Sequence, residues 1–512
     1  MTTNAILLVV LLSGQGQAPS PGAPRTSSVA PPESISAPAA LHDDLERILR
    51  GARLTGAGMG MVVVSLDHGD TLFAQNPDEP LAPASNMKLY TTAAALHYLG
   101  PSFRFNTYLL ANGSVGAGVL EGDLVLYGTG DPTLSERFGS RVLEEFADTL
   151  VVRGIREIHG DVVGDASYFG GSGVGVGWNP DYSNATYAAP ASALSFAENV
   201  ALLEIRPADG SGRPEVRLVP GGDGIELINR VSTVSSGRSS VWLARNGYEG
   251  PVTLHGRVSR RSGTWRRWVP VSDPPLFAAG ALKEALESRG IVIHGGVRAV
   301  HGAANSPVDG GSLFTPSASG GSSELRVLAV HTSPPLIDVL EVVNKKSHNF
   351  MAEQVLRTVG RMVAGDGSIG GGMAALDRFG RDVLGLADTA LSVYDGSGLS
   401  PLNRITPGGT VRLLEFAAAS PFWQAFLATL PEAGSRSGLR RMYRTPAAGR
   451  LWAKTGTIRD VSALSGYVQS QGGEWLAFSI VNNNARSAGR AKAVEDRIGA
   501  RLAAFDREAV SR

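Results

Sequence analysis

The sequence predicts an α/β chain of several parts, with a core split by a long β-rich insertion. Three observations lead there. The texture runs strands, helix, a long strand-and-turn block, helices, strands, and a last helix. The early apolar strand Ala57–Leu66 needs sheet partners, and the strands between residues 451 and 482 can supply them if the middle block is an insertion. The length of 512 residues corresponds to roughly three domains at about 100–200 residues each.

The elements follow in order. Ala5–Leu12 is a short apolar run, too short for a membrane span of about 20 residues. It fits the apolar segment of a signal peptide cleaved after Ala18, although its leading residues carry no Lys or Arg. Residues 1–18 are therefore expected to direct export to the periplasm or cell envelope, leaving no transmembrane span in the mature chain. Residues 19–40 are rich in Pro, Ser and Ala and read as a disordered linker. His42–Ala52 has helical periodicity. Ala57–Leu66 reads as a buried strand that turns through Asp67–Asp70 into a partner, and a helical run reaches Leu99 after Pro83.

From residue 103 to 329 the chain reads as strands and turns, interrupted by helices at Arg141–Arg153 and Pro274–Arg289. Asp273 is the expected N-cap of the second of these. Helices dominate from Pro334, strands return at residues 451–482, and a helix over Arg490–Arg507 closes the chain. The expected division is a core of residues 41–102 plus 330–509, and an insertion of residues 103–329 in two subdomains.

Composition excludes several classes of function. Lys+Arg and Asp+Glu are 47 each, so no bulk charge draws the chain to nucleic acid. The absence of cysteine removes disulfides, thiolate metal sites and a cysteine nucleophile. The nine histidines form no H-x-x-x-H or H-E-x-x-H pair, so no catalytic metal and no cofactor is expected. Only six of the 47 basic residues are lysines: Lys88, Lys283, Lys345, Lys346, Lys454 and Lys492. A chain that uses arginine for surface charge invites the question of what each remaining lysine does.

Ser85-Asn86-Met87-Lys88 stands at a helix start, where the i, i+3 spacing brings the serine hydroxyl and the amine to one face. Lysine can serve as a base when burial or a neighbouring cation lowers its pKa, whereas arginine stays protonated. Ser347-His348-Asn349 falls between two helical stretches and offers a second hydroxyl and an amide. Lys454-Thr455-Gly456 lies on an expected edge strand, with Lys454 and Gly456 on one face and Thr455 on the other. Such an edge can take up an extended peptide, and the glycine permits close approach. Each motif alone is far more readily a helix cap, a turn or a surface lysine. Together, each once and in this order, they form the S-x-x-K, S-x-N, K-T-G set of penicillin-recognising serine enzymes.

PASNMKLYTTAAALHYLG, GDLVLYGTGDPTL, YAAPASAL, NKKSHNFMAEQVL, DGSGLSPLNRITP and AKTGT together resemble the D-Ala-D-Ala carboxypeptidase/endopeptidase family of the penicillin-binding protein 4 type. The resemblance spans about residues 45–508. Ser85 and Ser347 stand 262 residues apart, and the family's large insertion accounts for that distance.

The resemblance implies a penicillin-recognising core, an antiparallel sheet with helices on both faces. It implies Ser85 as the acylated nucleophile and Lys88 as its base. Ser347 and Lys454 would relay protons, and Asn349 would hold the substrate backbone. Thr455, beside Lys454 and Gly456, would face the substrate carboxylate. The backbone N–H groups of Ser85 and Thr457 would form the oxyanion hole, and Asp165 would meet a substrate amine. The implied partners are peptidoglycan stem peptides and β-lactam antibiotics. Pro401 and Arg459 stand where relatives often carry Arg and Gln, which leaves the preferred stem residue open. Two other readings remain: a β-lactamase, for which no Glu-bearing deacylation element is evident, and a non-catalytic peptidoglycan-binding envelope protein.

The basic, Trp-bearing run Arg257–Trp268 reads as solvated strand faces. The Gly-rich residues 170–177 lack a phosphate-loop lysine. Asp395–Leu399 reads as a tight loop supporting the cleft.

Overall fold

The structure, a computed structural model, describes residues 37–53, 58–210, 212–221, 223–308, 325–436, 438–485 and 487–508. The expected signal segment lies outside the described residues, as does the linker up to residue 36. The linker's last four residues do not follow expectation. They open a helix, Ala37–Gly51, which seats Leu41, Leu45 and Leu49 in the core. Among the described residues no helix is long and apolar enough to cross a membrane.

The strand Met59–Ser65 is buried at every position because both faces of its sheet are covered. It pairs antiparallel with Thr71–Gln75 on one side and Trp475–Asn482 on the other. Val461–Gln469 and then Leu451–Ile458 complete a five-stranded antiparallel sheet. Side chains alternate between two cores. Met61 and Val63 join the layer formed by Ala37–Gly51 and the C-terminal helix Ala488–Ala503. Val62 and Val64 join a larger core containing the helices Met87–Tyr98, Leu336–Lys345, Asn349–Ala364 and Pro407–Ala419. The C-terminal helix starts two residues before the expected Arg490, because the Ser487 side chain caps it.

The intervening segment leaves and returns on neighbouring strands: Asn106–Gly116 pairs antiparallel with Leu325–Thr332, with Asn106 opposite Thr332. Its first part is less purely β than its texture suggests. Val162–Asp165 pairs parallel with both Val119–Gly128 and Val297–Val300. Parallel strands need crossovers, and the helices Val142–Val152 and Pro274–Glu287 provide them. Asp273 caps the second helix by accepting from Leu276 N at 3.1 Å. The second part is two three-stranded sheets around Leu203, Ile205, Val231, Val252, Leu254, Val258 and Val269. The run Arg257–Trp268 divides between two of these strands, and Arg266 pairs with Glu204.

The insertion is tied back to the core through polar contacts. Trp178, in the insertion, donates its indole N–H to Asp395 Oδ2 at 2.8 Å in a buried setting. Arg357, buried in the core helix, donates to the carbonyls of Gly170 and Ser172 in the Gly-rich stretch. Replacing Trp178 by Phe keeps an aromatic ring but removes the pyrrole half of the indole, and with it one donor to a buried carboxylate. The Trp178→Phe chain is expected to lose about 1.5–3 kcal/mol of unfolding free energy in a urea titration.

Candidate active site

The run Leu81–Leu96 is buried except at Ser85, which is partly open. A 3₁₀ turn, Ala84–Asn86, precedes the α-helix Met87–Tyr98, so Ser85 stands just before the α-helix rather than within it. Ala84 adopts φ +46°, an uncommon conformation for a residue with a Cβ. Its neighbours hold it there. A Cβ on Gly398 would lie 1.8 Å from Ala84 O, and one on Gly456 would lie 2.6 Å from Pro83 O and 3.2 Å from Ser85 N. Glycine at both positions lets two backbones close on the serine turn. Asn86 anchors the turn to the middle of the sheet, donating to Ser465 Oγ at 2.7 Å.

The Lys88 amine is fully buried and makes three contacts: Ser85 Oγ at 3.1 Å, Asn349 Oδ1 at 2.7 Å and the Ser397 carbonyl at 2.6 Å. Burial pushes its pKa down to about 7, against the opposing pull of Asp395 and Glu353. Lys454 is also fully buried and donates to Ser347 Oγ at 3.0 Å and to the Thr455 carbonyl at 2.9 Å. Burial holds this amine well below its ordinary range, and the nearby Lys88 charge adds to the effect. A neutral amine beside a hydroxyl can accept its proton, so the cleft holds two hydroxyl–amine pairs, Ser85–Lys88 and Ser347–Lys454.

Ser347 sits where expected, in the turn between the helices Leu336–Lys345 and Asn349–Ala364, and Asn349 opens the second of them. The helix cap is His348 rather than a serine or asparagine: its Nδ1 accepts from Met351 N. Its Nε2 meets Glu198 Oε2 of the insertion at 3.0 Å, and Glu198 also pairs with Arg137. Glu198 belongs to a left-handed turn of three non-glycine residues, Ala197, Glu198 and Asn199, with φ of 51°, 57° and 55°. Such a turn persists only when its surroundings hold it. Asn199 does so by donating to Pro190 O and Ser195 Oγ. The Asn349 amide hydrogens reach a second part of the insertion, donating to Tyr187 O at 2.9 Å.

Leu451–Ile458 is the edge strand of the sheet, with Lys454 and Gly456 buried, Thr455 half-buried and Thr457 exposed. The remaining sequence candidate stands apart. Asp165 is fully buried at the end of an insertion strand, accepting from Ser167 N at 2.8 Å and Ser306 Oγ at 2.5 Å. Pro401 and Arg459 are exposed.

Asp395–Leu399, read from the sequence as a loop supporting the cleft, receives Lys88 at the Ser397 carbonyl; sequence reasoning missed Glu353 behind it. Asp395 accepts from the backbone N–H groups of Gly398 and Ser400 and from the Asn403 side chain, which shapes the loop. Glu353 accepts from Gly396 N and Ser397 N at 3.2 and 2.8 Å, fixing the backbone just before the carbonyl that receives Lys88. Burial and the Asp395 charge push the Glu353 carboxyl up to about 7. A carboxylate and an arginine in FMAEQVLRTVG, a helix segment otherwise uncharged and mostly apolar, were the available signal.

The model of the D-Ala-D-Ala carboxypeptidase 3 (S13) family matches residues 41–505. The chain belongs to that family. A D-alanyl-D-alanine carboxypeptidase of Actinomadura sp. (strain R39) is 34% identical over 478 residues, covering 91% of this chain and 85% of the relative. The D-alanyl-D-alanine carboxypeptidase DacB of Haemophilus influenzae is 27% identical, covering 83% and 85%. The crystal structure of penicillin-binding protein 4 from H. influenzae superposes with TM-score 0.72 at 24% identity, over 90% of this chain and 98% of that one. The S13 chain thus has the penicillin-binding protein 4 fold that its motifs suggested.

The His348–Glu198 contact links the S13 core to its insertion and gives a test. Burial opposes ionisation of Glu198, but hydrogen bonds from His348 and Arg137 outweigh it and hold the carboxyl down to about 2, from 4.5. The lowered value stabilises the fold above about pH 4.5, and that contribution disappears as pH falls toward 2. Glu198→Gln is expected to lose about 1–2 kcal/mol at neutral pH in urea titrations. The loss relative to wild type should shrink on acidification.

Proposed function

We propose that this S13 chain is an exported serine DD-peptidase that hydrolyses the D-Ala-D-Ala bond of peptidoglycan stem peptides through an acyl-enzyme on Ser85. The observation that carries the reading is the Lys88 amine, buried, depressed to about 7 and 3.1 Å from the Ser85 hydroxyl. Arginine could not fill this role, because its guanidinium does not give up its proton.

In the proposed reaction Ser85 Oγ attacks the carbonyl carbon of the penultimate D-Ala while Lys88 takes its proton. The resulting oxyanion is received by the backbone N–H groups of Ser85 and Thr457, a pairing favoured by the close packing of Gly456 on Ser85 N. Collapse breaks the C–N bond. The leaving amine takes a proton from Ser347, Lys454 replenishes Ser347 by passing on the proton that Lys88 took from Ser85, and terminal D-Ala departs. Water then attacks the Ser85 ester, giving a proton to the neutral Lys88, which returns it to Ser85 Oγ as the acid is released. The Leu451–Ile458 edge would take the substrate alongside it, with Thr455 and Lys454 toward its carboxylate and Asn349 toward its amide backbone. Cross-links between D-amino acids present the same bond type to the same serine, so endopeptidase action belongs to the proposal.

A β-lactam carries a reactive amide in place of the D-Ala-D-Ala bond, and Ser85 is the residue it would acylate. One relative's structure, penicillin-binding protein 4 of H. influenzae, is a complex with a β-lactam. Asp165 is proposed as a contact for a substrate side-chain amine. In the free chain Ser167 and Ser306 engage its carboxyl, so binding would have to share or replace one of those bonds.

Fluorescent penicillin is expected to label wild type and not Ser85→Ala, and muropeptide digestion read by mass should show loss of one D-Ala in wild type alone. Equal labelling of Ser85→Ala would remove the nucleophile assignment. The pH dependence follows from Lys88. The neutral amine is the base, so the acylation rate should rise with pH through about 7 and fall about tenfold per unit well below it. Lys88→Arg should stay unlabelled at every pH, as a base that cannot be neutral.

A further inference from the structure

The insertion carries a second cluster of titratable groups that the proposed chemistry does not use. Glu121, Glu157, His159 and His294 come from three neighbouring strand segments. The pairing register sets Val119 opposite Glu157 and Leu120 opposite Ile158, which continues to Glu121 beside His159. Val292 lies opposite Glu157 and Ile293 opposite Ile158, which continues to His294 beside His159. Glu157 and His159 share a face, being two residues apart. The result is a row Glu121–His159–His294 across the sheet, with Glu157 adjoining it.

The distances converge on one point. His294 Nε2 is 3.2 Å and His159 Nε2 3.6 Å from the same oxygen, Glu157 Oε2. One ligand atom from each of these three residues lies within 4.8 Å of the others. A tetrahedral zinc ion with bonds of about 2.0–2.2 Å keeps its ligand atoms roughly 3.3 Å apart. His159 Nδ1 is 2.9 Å from Glu121 Oε2. A carboxylate only accepts, so in the metal-free neutral rings the bonds to Glu121 and Glu157 put a hydrogen on Nδ1 of His159 and one on Nε2 of His294. An ion would displace the second, moving that hydrogen to Nδ1 of His294. The first leaves the His159 Nε2 lone pair facing Glu157 and His294. A carboxylate behind a histidine in this way is the usual outer support of a metal-binding imidazole.

The backbone beneath is fixed. A Cβ on Gly160 would lie 2.5 Å from Asp123 Oδ1, and one on Gly295 would lie 2.2 Å from Gly160 O, so both strands pass tightly just after their histidines. Asp161 Oδ1 accepts from Gly296 N at 2.8 Å and joins the same two strands. We propose that Glu157, His159 and His294 form a divalent transition-metal site, best suited to Zn²⁺, with Glu121 orienting His159 and water completing the shell. Imidazole and carboxylate ligands favour such an ion over Ca²⁺ or Mg²⁺, which prefer all-oxygen shells. The ion would clamp the two-residue edge strand Val292–Ile293 to its neighbour Glu157–Ile158. The site is structural and lies on the insertion, separate from the cleft around Ser85.

The test uses the full chain, stripped with EDTA, dialysed and titrated with ZnCl₂ by calorimetry, with melting followed in parallel. One Zn²⁺ per chain is expected, with a rise in Tm as mass action requires. His159→Ala and His294→Gln should each weaken binding at least tenfold. Glu121→Gln should weaken it about tenfold through loss of the outer support. His255→Ala, whose histidine stacks on Trp242 elsewhere in the insertion, should change nothing. Penicillin labelling of the metal-free variants reports that they are folded. Absence of saturable one-to-one binding, or binding and a Tm rise that survive His159→Ala/His294→Gln, would overturn the site.

Discussion

Two buried lysine amines share one cleft, and among the described residues no carboxylate hydrogen-bonds to either of them. Removing an ammonium from water is expensive, and a direct carboxylate partner would repay that cost by keeping the amine charged. Lys88 instead meets a hydroxyl, an amide oxygen and a peptide carbonyl, and Lys454 meets a hydroxyl and a peptide carbonyl. Neutral acceptors orient the amines without restoring their basicity. Asp395 and Glu353 sit one layer back, where they moderate the depression of Lys88 and are occupied by backbone N–H groups. Much of the surrounding backbone serves this arrangement. The positive φ of Ala84 and Ser347, the close approaches at Gly398 and Gly456, and the Asp395 loop all hold donors and acceptors at the amines.

The same constraint gives the insertion a role beyond its bulk. It touches the cleft's supports at several points: Tyr187 O on Asn349, Glu198 on His348, Trp178 on Asp395, and the Gly-rich stretch on Arg357. Each contact is polar and ends on a residue of the S-x-N turn, its helix or the loop beneath Lys88. A separately folded attachment would need none of them. The insertion thus braces the S-x-N turn, its helix and the Asp395 loop from outside through these hydrogen bonds.

The scarcity of lysine acquires a physical reading from this geometry. On a surface, arginine supplies charge as well as lysine does, and the chain carries 41 arginines against six lysines. Buried next to a hydroxyl, only the amine can exist in the neutral form at working pH. The two lysines that are fully buried, Lys88 and Lys454, are the two in the motifs. Lys345, just before the S-x-N turn, is spent on a helix pair with Glu341.

The sequence by itself determined what depends on local pattern and residue chemistry. Apolar runs marked the central strands, because a sheet covered on both faces needs them. Asp273 marked its helix start, because a short side chain before Pro-Pro caps an open helix end. The three lysine- and serine-bearing motifs marked the cleft, because few side chains can exchange a proton with a hydroxyl near neutral pH. Tertiary structure alone decided what depends on residues distant in the chain. Glu353 and Asp395 lie 42 positions apart, and only packing makes them a shared support for Lys88. His348 occupies a position the motif leaves free, and its role follows from a glutamate 150 residues away. His159 and His294 are 135 positions apart, a spacing with no local signature, and strand register sets them side by side. Pattern reports the environment that one segment demands, whereas a site assembled from several segments exists only once the backbone has brought them together.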